Sequence, residues 1–186
     1  MPVQRKILYS RKSACIEPLR LLIEEQTHRT LVAWALECAS RPLAFFEGRV
    51  ACELRPREAV NRTYLWAQGE IKMPEARHAI LAAHKAAGEA GRIDLCAEAA
   101  ARAVGHACAT VHAATHALGL VFYWLTAVAR NTAPEQRDLR EQEELAWLTE
   151  RLLYWQDHIE NWNAPWAAFL LREAPNQEKL LHERKG

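Results

Sequence analysis

Residues 99–134 read AAARAVGHACATVHAATHALGLVFYWLTAVARNTAP, and up to Pro134 this stretch contains no Asp or Glu. Arg102 and Arg130 are its only basic residues other than histidine. A helix on the surface of a globular protein carries charge along one face, whereas a helix that is apolar on nearly all sides belongs in the interior. The stretch divides into two helical halves, about 94–111 and 114–130. Asp94 can cap the first, because its carboxylate accepts the free amides of the opening turn. The pair 94–130 is therefore the expected centre of the molecule, with the remaining segments packed around it.

Working outward, helix signals recur on both sides. Thr30 is a candidate cap for a helix whose apolar face runs Leu31, Trp34, Ala35, Cys38, Ala39, Leu43 and Phe46, close to a 3.6-residue period. Pro42 falls inside that pattern and should kink or split it near Ser40. Arg55-Pro56 opens a helix that Gly69 stops, and Met73-Pro74 opens another with Ile80, Leu81, Ala83, His84 and Ala87 as its inner stripe. After Pro134, Leu145, Leu148, Leu152, Trp155, Ile159 and Trp162 repeat in a coiled-coil-like spacing. That seam either docks on the core of its own chain or joins two subunits in a homodimer. Pro165 is expected to start a short final helix with Trp166, Phe169 and Leu170.

Composition agrees with an all-α chain. Half of the residues are apolar, and there are only 7 Gly and 8 Pro. Ala, Leu, Glu and Arg, which lose little side-chain freedom in a helix, are abundant. No alternating run marks a strand. The expected architecture is a single-domain helical bundle or short superhelical stack of about seven to nine helices. Residues 1–15 are read as a flexible basic arm, 16–172 as the domain and 173–186 as a charged tail.

The formal net charge of +1 excludes a strong global field for nucleic acid or membranes. No apolar run is long enough to cross a bilayer, and the N-terminus lacks the apolar segment of a secretory signal. Five cysteines with no CxxC pair read as free thiols, most of them buried, in a reducing cytoplasm.

Two segments concentrate reactive side chains. Residues 66–77 join two helices and hold a Trp, two Glu, a Lys and an Arg. Arg77 shares a helical face with Ile80, Leu81 and His84, so a guanidinium on the inner stripe needs a partner, and Glu70 is the candidate. Residues 105–119 hold His106, His112 and His116. His112 and His116 lie four apart, which puts both imidazoles on one side of a helix, and His84 can face them. A metal-dependent, hydrolase-like enzyme using His84, His106, His112 and His116 is one reading of this cluster. Against it, the stretch supplies no carboxylate, and neither HExxH nor a Glu-x-x-His array is present. GxSxG, P-loop and GxGxxG motifs are also absent. Histidines that brace the core are the alternative. No catalytic residue and no cofactor is assigned.

At these segments the chain resembles a known family. WAQGEIKMPEARHAILAAHKAA (66–87) is similar to a W-A-x-G-E-I-K-M-x-x-A-R…A-A-H-x-A-A block of bacterial immunity proteins associated with polymorphic toxin systems. ARAVGHACATVHAATHALGLVFYWLTAV (101–128) resembles the family's A-R-A-x-G-H-A-x-A-T-x-H…H-A-x-G block, and LVAWALECASRPLAFFE (31–47) a third. Pro42 and the Trp-rich C-terminus depart from the pattern. The resemblance implies a non-catalytic, antitoxin-like protein that binds a toxin domain in the cytoplasm. It marks Trp66, Gly69, Glu70, Lys72, Arg77, His84, His106, His112 and His116 as the positions of interest.

Overall fold

The computed structural model describes residues 7–172 and 174–184. Among them are nine α-helices and no strand: α1 (Glu17–Glu24), α2 (His28–Cys38), α3 (Ser40–Glu47), α4 (Arg55–Gln68), α5 (Met73–Ala90), α6 (Leu95–Ala109), α7 (Ala117–Asn131), α8 (Arg137–Asp157) and α9 (Gln177–Glu183). None of these helices is long and apolar enough to cross a membrane.

The acid-free stretch forms the centre. α6 packs against α2, α3, α4, α5 and α7. It can meet so many neighbours because its surface is small: Ala97, Ala100, Ala101, Ala103 and Ala107 are fully buried and point to different sides. Short side chains let helix axes approach to the lower end of the usual 8–10 Å range. α7 supplies the bulk that α6 lacks, with Leu118, Leu120, Val121 and Leu125 all buried. Asp94 caps α6 as its position predicts, accepting from the amides of Cys96 (2.8 Å) and Ala97 (3.2 Å).

Several sequence expectations are corrected in detail. The cap of α2 is Thr27, not Thr30. Thr27 is extended and its hydroxyl accepts from the Thr30 amide, so Thr30 sits one turn inside the helix and is buried. Pro42 does split the pattern: α2 ends at Cys38 and α3 begins at Ser40, with Ala39 between them still right-handed. In α5 the buried stripe is Ala76, Ala79, Ile80, Ala83, Ala86, Ala87 and Ala90. Leu81 is 52% exposed instead, because α5 lies close against α4 and α6 and only small residues fit between them. Only Cys38 and Cys108 of the five free cysteines are buried.

The seam on α8 docks on its own chain. Leu148 and Leu152 are fully buried, and the Trp34 indole donates to the Leu148 carbonyl at 2.9 Å. The buried Glu144 accepts from Arg41 (2.9 Å) and from the Trp124 indole (2.8 Å). The helix stops at Asp157, so Ile159 and Trp162 leave the α8 face. Leu148 and Leu152 are thus unavailable to a second subunit.

The helix expected from Pro165 does not form. Residues 162–171 run as an irregular strap ending in a turn, held by side chains rather than by helical hydrogen bonds. Trp162 stacks between Tyr64 (5.5 Å) and Trp166 (4.4 Å), and the Ala167 amide donates to the Ala67 carbonyl at 2.8 Å. Of the basic arm, residues 1–6 lie outside the described residues. Arg11 forms a two-pronged ion pair with Glu178 of α9, a carboxylate only 2% exposed. Asn176 caps α9 by accepting from the Glu178 and Lys179 amides.

Candidate functional site

Three elements meet at the C-terminal end of α6. The end of α4 supplies Trp66, one side of α5 supplies Arg77 and His84, and the turn that joins α6 to α7 supplies His112 and His116. Between them opens a cleft of about 570 Å³. Met73, Pro74, Ile80 and Leu81 complete its apolar wall, and His78 stands at its edge. Among the described residues no carboxylate lines it.

The local sequence explains the geometry. α4 ends at Gly69, whose left-handed conformation (φ 83°) lets the Glu70 amide reach the Leu65 carbonyl at 2.9 Å. This αL closure satisfies end carbonyls that would otherwise be left open. The chain then turns within Glu70–Lys72, and the Lys72 amide donates to the Glu75 carboxylate at 3.1 Å as α5 begins. Trp66 and Arg77 are thereby brought to the same cleft from consecutive helices. Trp66 is nearly buried and packs its ring against Phe169 of the strap (centroids 5.5 Å) and His112 (6.4 Å).

Behind the cleft wall lies a chain of imidazoles. His106 meets His84 edge-on (centroids 5.6 Å), stacks on Tyr123 (5.0 Å) and places its Nδ1 3.3 Å from Nδ1 of His116. Two glycines make room for these rings. A Cβ at position 105 would lie 2.5 Å from Cε1 of His84, and a Cβ at position 119 would overlap the ring of His106. The Gly-His and His-Ala-Leu-Gly spacings of the sequence are thus the seats and occupants of one packed array.

The electrostatics follow from burial without acids. Burial pushes the pKa of His106 down to about 3, helped by repulsion from His84, His116 and Arg102. His84 is lowered by burial, then by Arg102 and His116, and His116 by burial, then by His112. The rings are neutral at pH 7, so in the His106–His116 contact one Nδ1 donates and the other accepts. Nδ1 of His84 is buried with no hydrogen-bond partner. His28 is lowered mainly by burial, and its Nε2 donates to the Thr110 carbonyl at 2.7 Å.

Five of the nine positions singled out from the sequence, Trp66, Arg77, His84, His112 and His116, line one cleft. His106 braces it from behind. Gly69, Glu70 and Lys72 shape the joint and stay outside the cleft. The Arg77–Glu70 pair expected from the sequence does not form: both side chains are exposed, and Arg77 has neither a hydrogen bond nor an ion pair among the described residues. The reason is the rotation of α5 described above, which turns Arg77 and Leu81 outward with the cleft-facing side. His84 and His116 each touch His106, while His112 packs against Trp66 instead. Among the described residues no three His, Cys, Asp or Glu side chains are grouped as a metal ion requires.

Sequence reasoning missed His78, Tyr123, Gly105, Gly119 and Phe169. Pro74, Arg77, Leu81 and His84 recur at three- and four-residue steps opposite the alanine stripe, and that signal could have identified the cleft side of α5. Phe169 had no such signal, because its place depends on a strap without helical period.

No curated protein and no solved structure matches the chain. A family model does, across residues 21–153, a span that contains α2–α7, most of α8 and every residue lining the cleft. By this match the chain belongs to the family described as Imm-5 like putative immunity protein.

Proposed function

We propose that the protein neutralises a toxin by binding it directly, and that the cleft between α4, α5 and the 110–116 turn is part of the binding surface. Family membership supports the immunity role. The observation that carries the surface assignment is the open, Trp-floored cleft with its unpaired guanidinium, set on a rigid helical frame. Trp and Arg are enriched where protein interfaces concentrate their energy. Met73 and Leu81, 41% and 52% exposed on the rim, add apolar area that a partner would cover.

The experiment is co-expression with a toxin domain, the candidates being drawn from the genes that neighbour this one. Growth should be restored by this chain, and the two proteins should elute together from size exclusion as a stoichiometric complex. Replacing Leu81 with Asp, at a position outside the packed core, should weaken that complex about tenfold or more without altering the fold. Unprotected growth together with separate elution of the two proteins would reject the proposal.

A further inference from the structure

The cleft has a chemical preference that its lining makes readable. We infer that it receives a carboxylate side chain flanked by an apolar residue, presented by the toxin partner; this deepens the reading above and rests on it. Arg49, Arg57 and Arg102 are each held by a carboxylate of this chain. Arg29, Arg92, Arg172 and Arg184 share with Arg77 the lack of such a partner among the described residues, but Arg77 is the one arginine that lines this apolar cleft. The nearby acid that could reach back, Glu75, is engaged by the Lys72 amide and does not line this cleft.

A planar guanidinium binds a carboxylate through two parallel hydrogen bonds. Beside Arg77, the exposed His112 and the half-buried His116 offer ring nitrogens for a remaining lone pair. Trp66, Ile80 and Leu81 supply the surface for an apolar neighbour. Burial favours the neutral form of His116, and among the described residues Arg77 is the one Lys or Arg in the lining. One fixed charge suits a carboxylate. Nucleic acid needs a row of cations along its backbone, and the nearby Arg55 and Arg62 are already paired with Glu53, Glu89 and Glu58.

The test uses the full chain at pH 7 and three probes: the peptide acetyl-Leu-Glu-Phe-amide, its Gln counterpart, and inorganic phosphate. Binding is followed by the ring resonances of His112 and His116. The Glu peptide should bind about tenfold more tightly than the Gln peptide. Arg77→Met should erase that ratio while its thermal melt matches the parent protein. Equal affinity for the two peptides overturns the inference, as does no binding of either up to about 10 mM. So does a larger response to phosphate than to the Glu peptide, which would mark a site for small anions. If the chain protects against its toxin but does not distinguish the peptides, only this inference falls. Distinction without protection would instead remove the immunity reading.

Discussion

At its N-terminal end α6 is bounded by Gly91, Asp94 and Glu98; at its C-terminal end by Gly105, His106 and the 110–116 turn. Both ends bury polar groups, and at both a glycine opens the space. A Cβ at Gly91 would overlap the Glu98 carboxylate, and one at Gly105 would overlap the His84 ring. The difference lies in what answers each polar group. Glu98 is held by Arg102 at 2.7 Å, while Asp94 caps its helix and pairs with Arg49 at 2.6 Å. At the other end His84 keeps an unanswered Nδ1, and Arg77 faces a cleft without an acid. One end of the helix is electrostatically closed and the other is left open. Of these two groups only the buried Nδ1 of His84 lacks a hydrogen bond; Arg77 is exposed to water, and under the proposed reading a partner's carboxylate would take the place of that water.

The strongest way to break this contrast is to fill a glycine seat. Gly105→Ala should cost about 1–3 kcal/mol, since the ring of His84 must move within a packed wall. Adding His84→Ala should recover more than half of that loss, because the two changes share one contact. Urea denaturation of the two single variants and the double variant reads both effects. Additive losses would show that the glycine serves the backbone rather than the ring.

Acid should act on the open end next. The pKa of His106 sits near 3 in the folded chain against an ordinary value of 6.5. Above about pH 6.5 neither state takes up the proton, and stability is flat. Below it the unfolded chain protonates while the buried ring does not, so stability falls steadily toward pH 3. Between pH 7.5 and pH 5 the loss attached to His106 is about 2 kcal/mol. His84 and His116 are shifted in the same direction and add to the slope. Urea midpoints across this range should fall, and His106→Asn should flatten the curve. A midpoint that does not move would mean that the rings are hydrated in the folded state.

At the closed end, Asp94→Ala removes both the helix cap and the anchor for Arg49. The expected loss is about 1 kcal/mol, typical of a cap, and it should be insensitive to His106→Asn because the two sites share no neighbour. The same denaturation series decides this.

Legibility in the sequence followed the same divide. The central pair was readable because the absence of acids from Ala99 to Pro134 is a property of composition, and α6 and α7 need nothing beyond burial to explain them. Asp94 was readable because a cap is local chemistry. Four cleft residues fall in the 66–77 and 105–119 segments and His84 lies between them on α5, yet the surroundings of Arg77 differ from those its spacing implies. Its helix rotation depends on how closely α5 packs on α6, and a run of alanines does not announce which side faces in: Ala82 and Ala83 look alike in sequence, but only Ala83 is fully buried. The strap was the least legible part. Pro165 reads as a helix start, and the Tyr64–Trp162–Trp166 stack that overrides it joins residues about a hundred positions apart.

The smallest expected effect, at Arg77, emerges from comparing one residue type at the two ends. Arg102→Met strips the partner from Glu98, a carboxylate only 8% exposed, and should lower stability measurably through the charge left behind. Arg77→Met removes an exposed guanidinium that holds nothing within the chain, so its melt should stay within about 0.5 kcal/mol of the parent. The ranking should reverse when the toxin domain is titrated in: Arg77→Met should weaken the complex, and Arg102→Met, once folded, should bind as the parent does. If Arg77→Met destabilises the free protein as much as Arg102→Met, the guanidinium already has a partner inside the chain. The open end would then be as closed as the other, and the case for a cleft awaiting an acidic group would lose its footing.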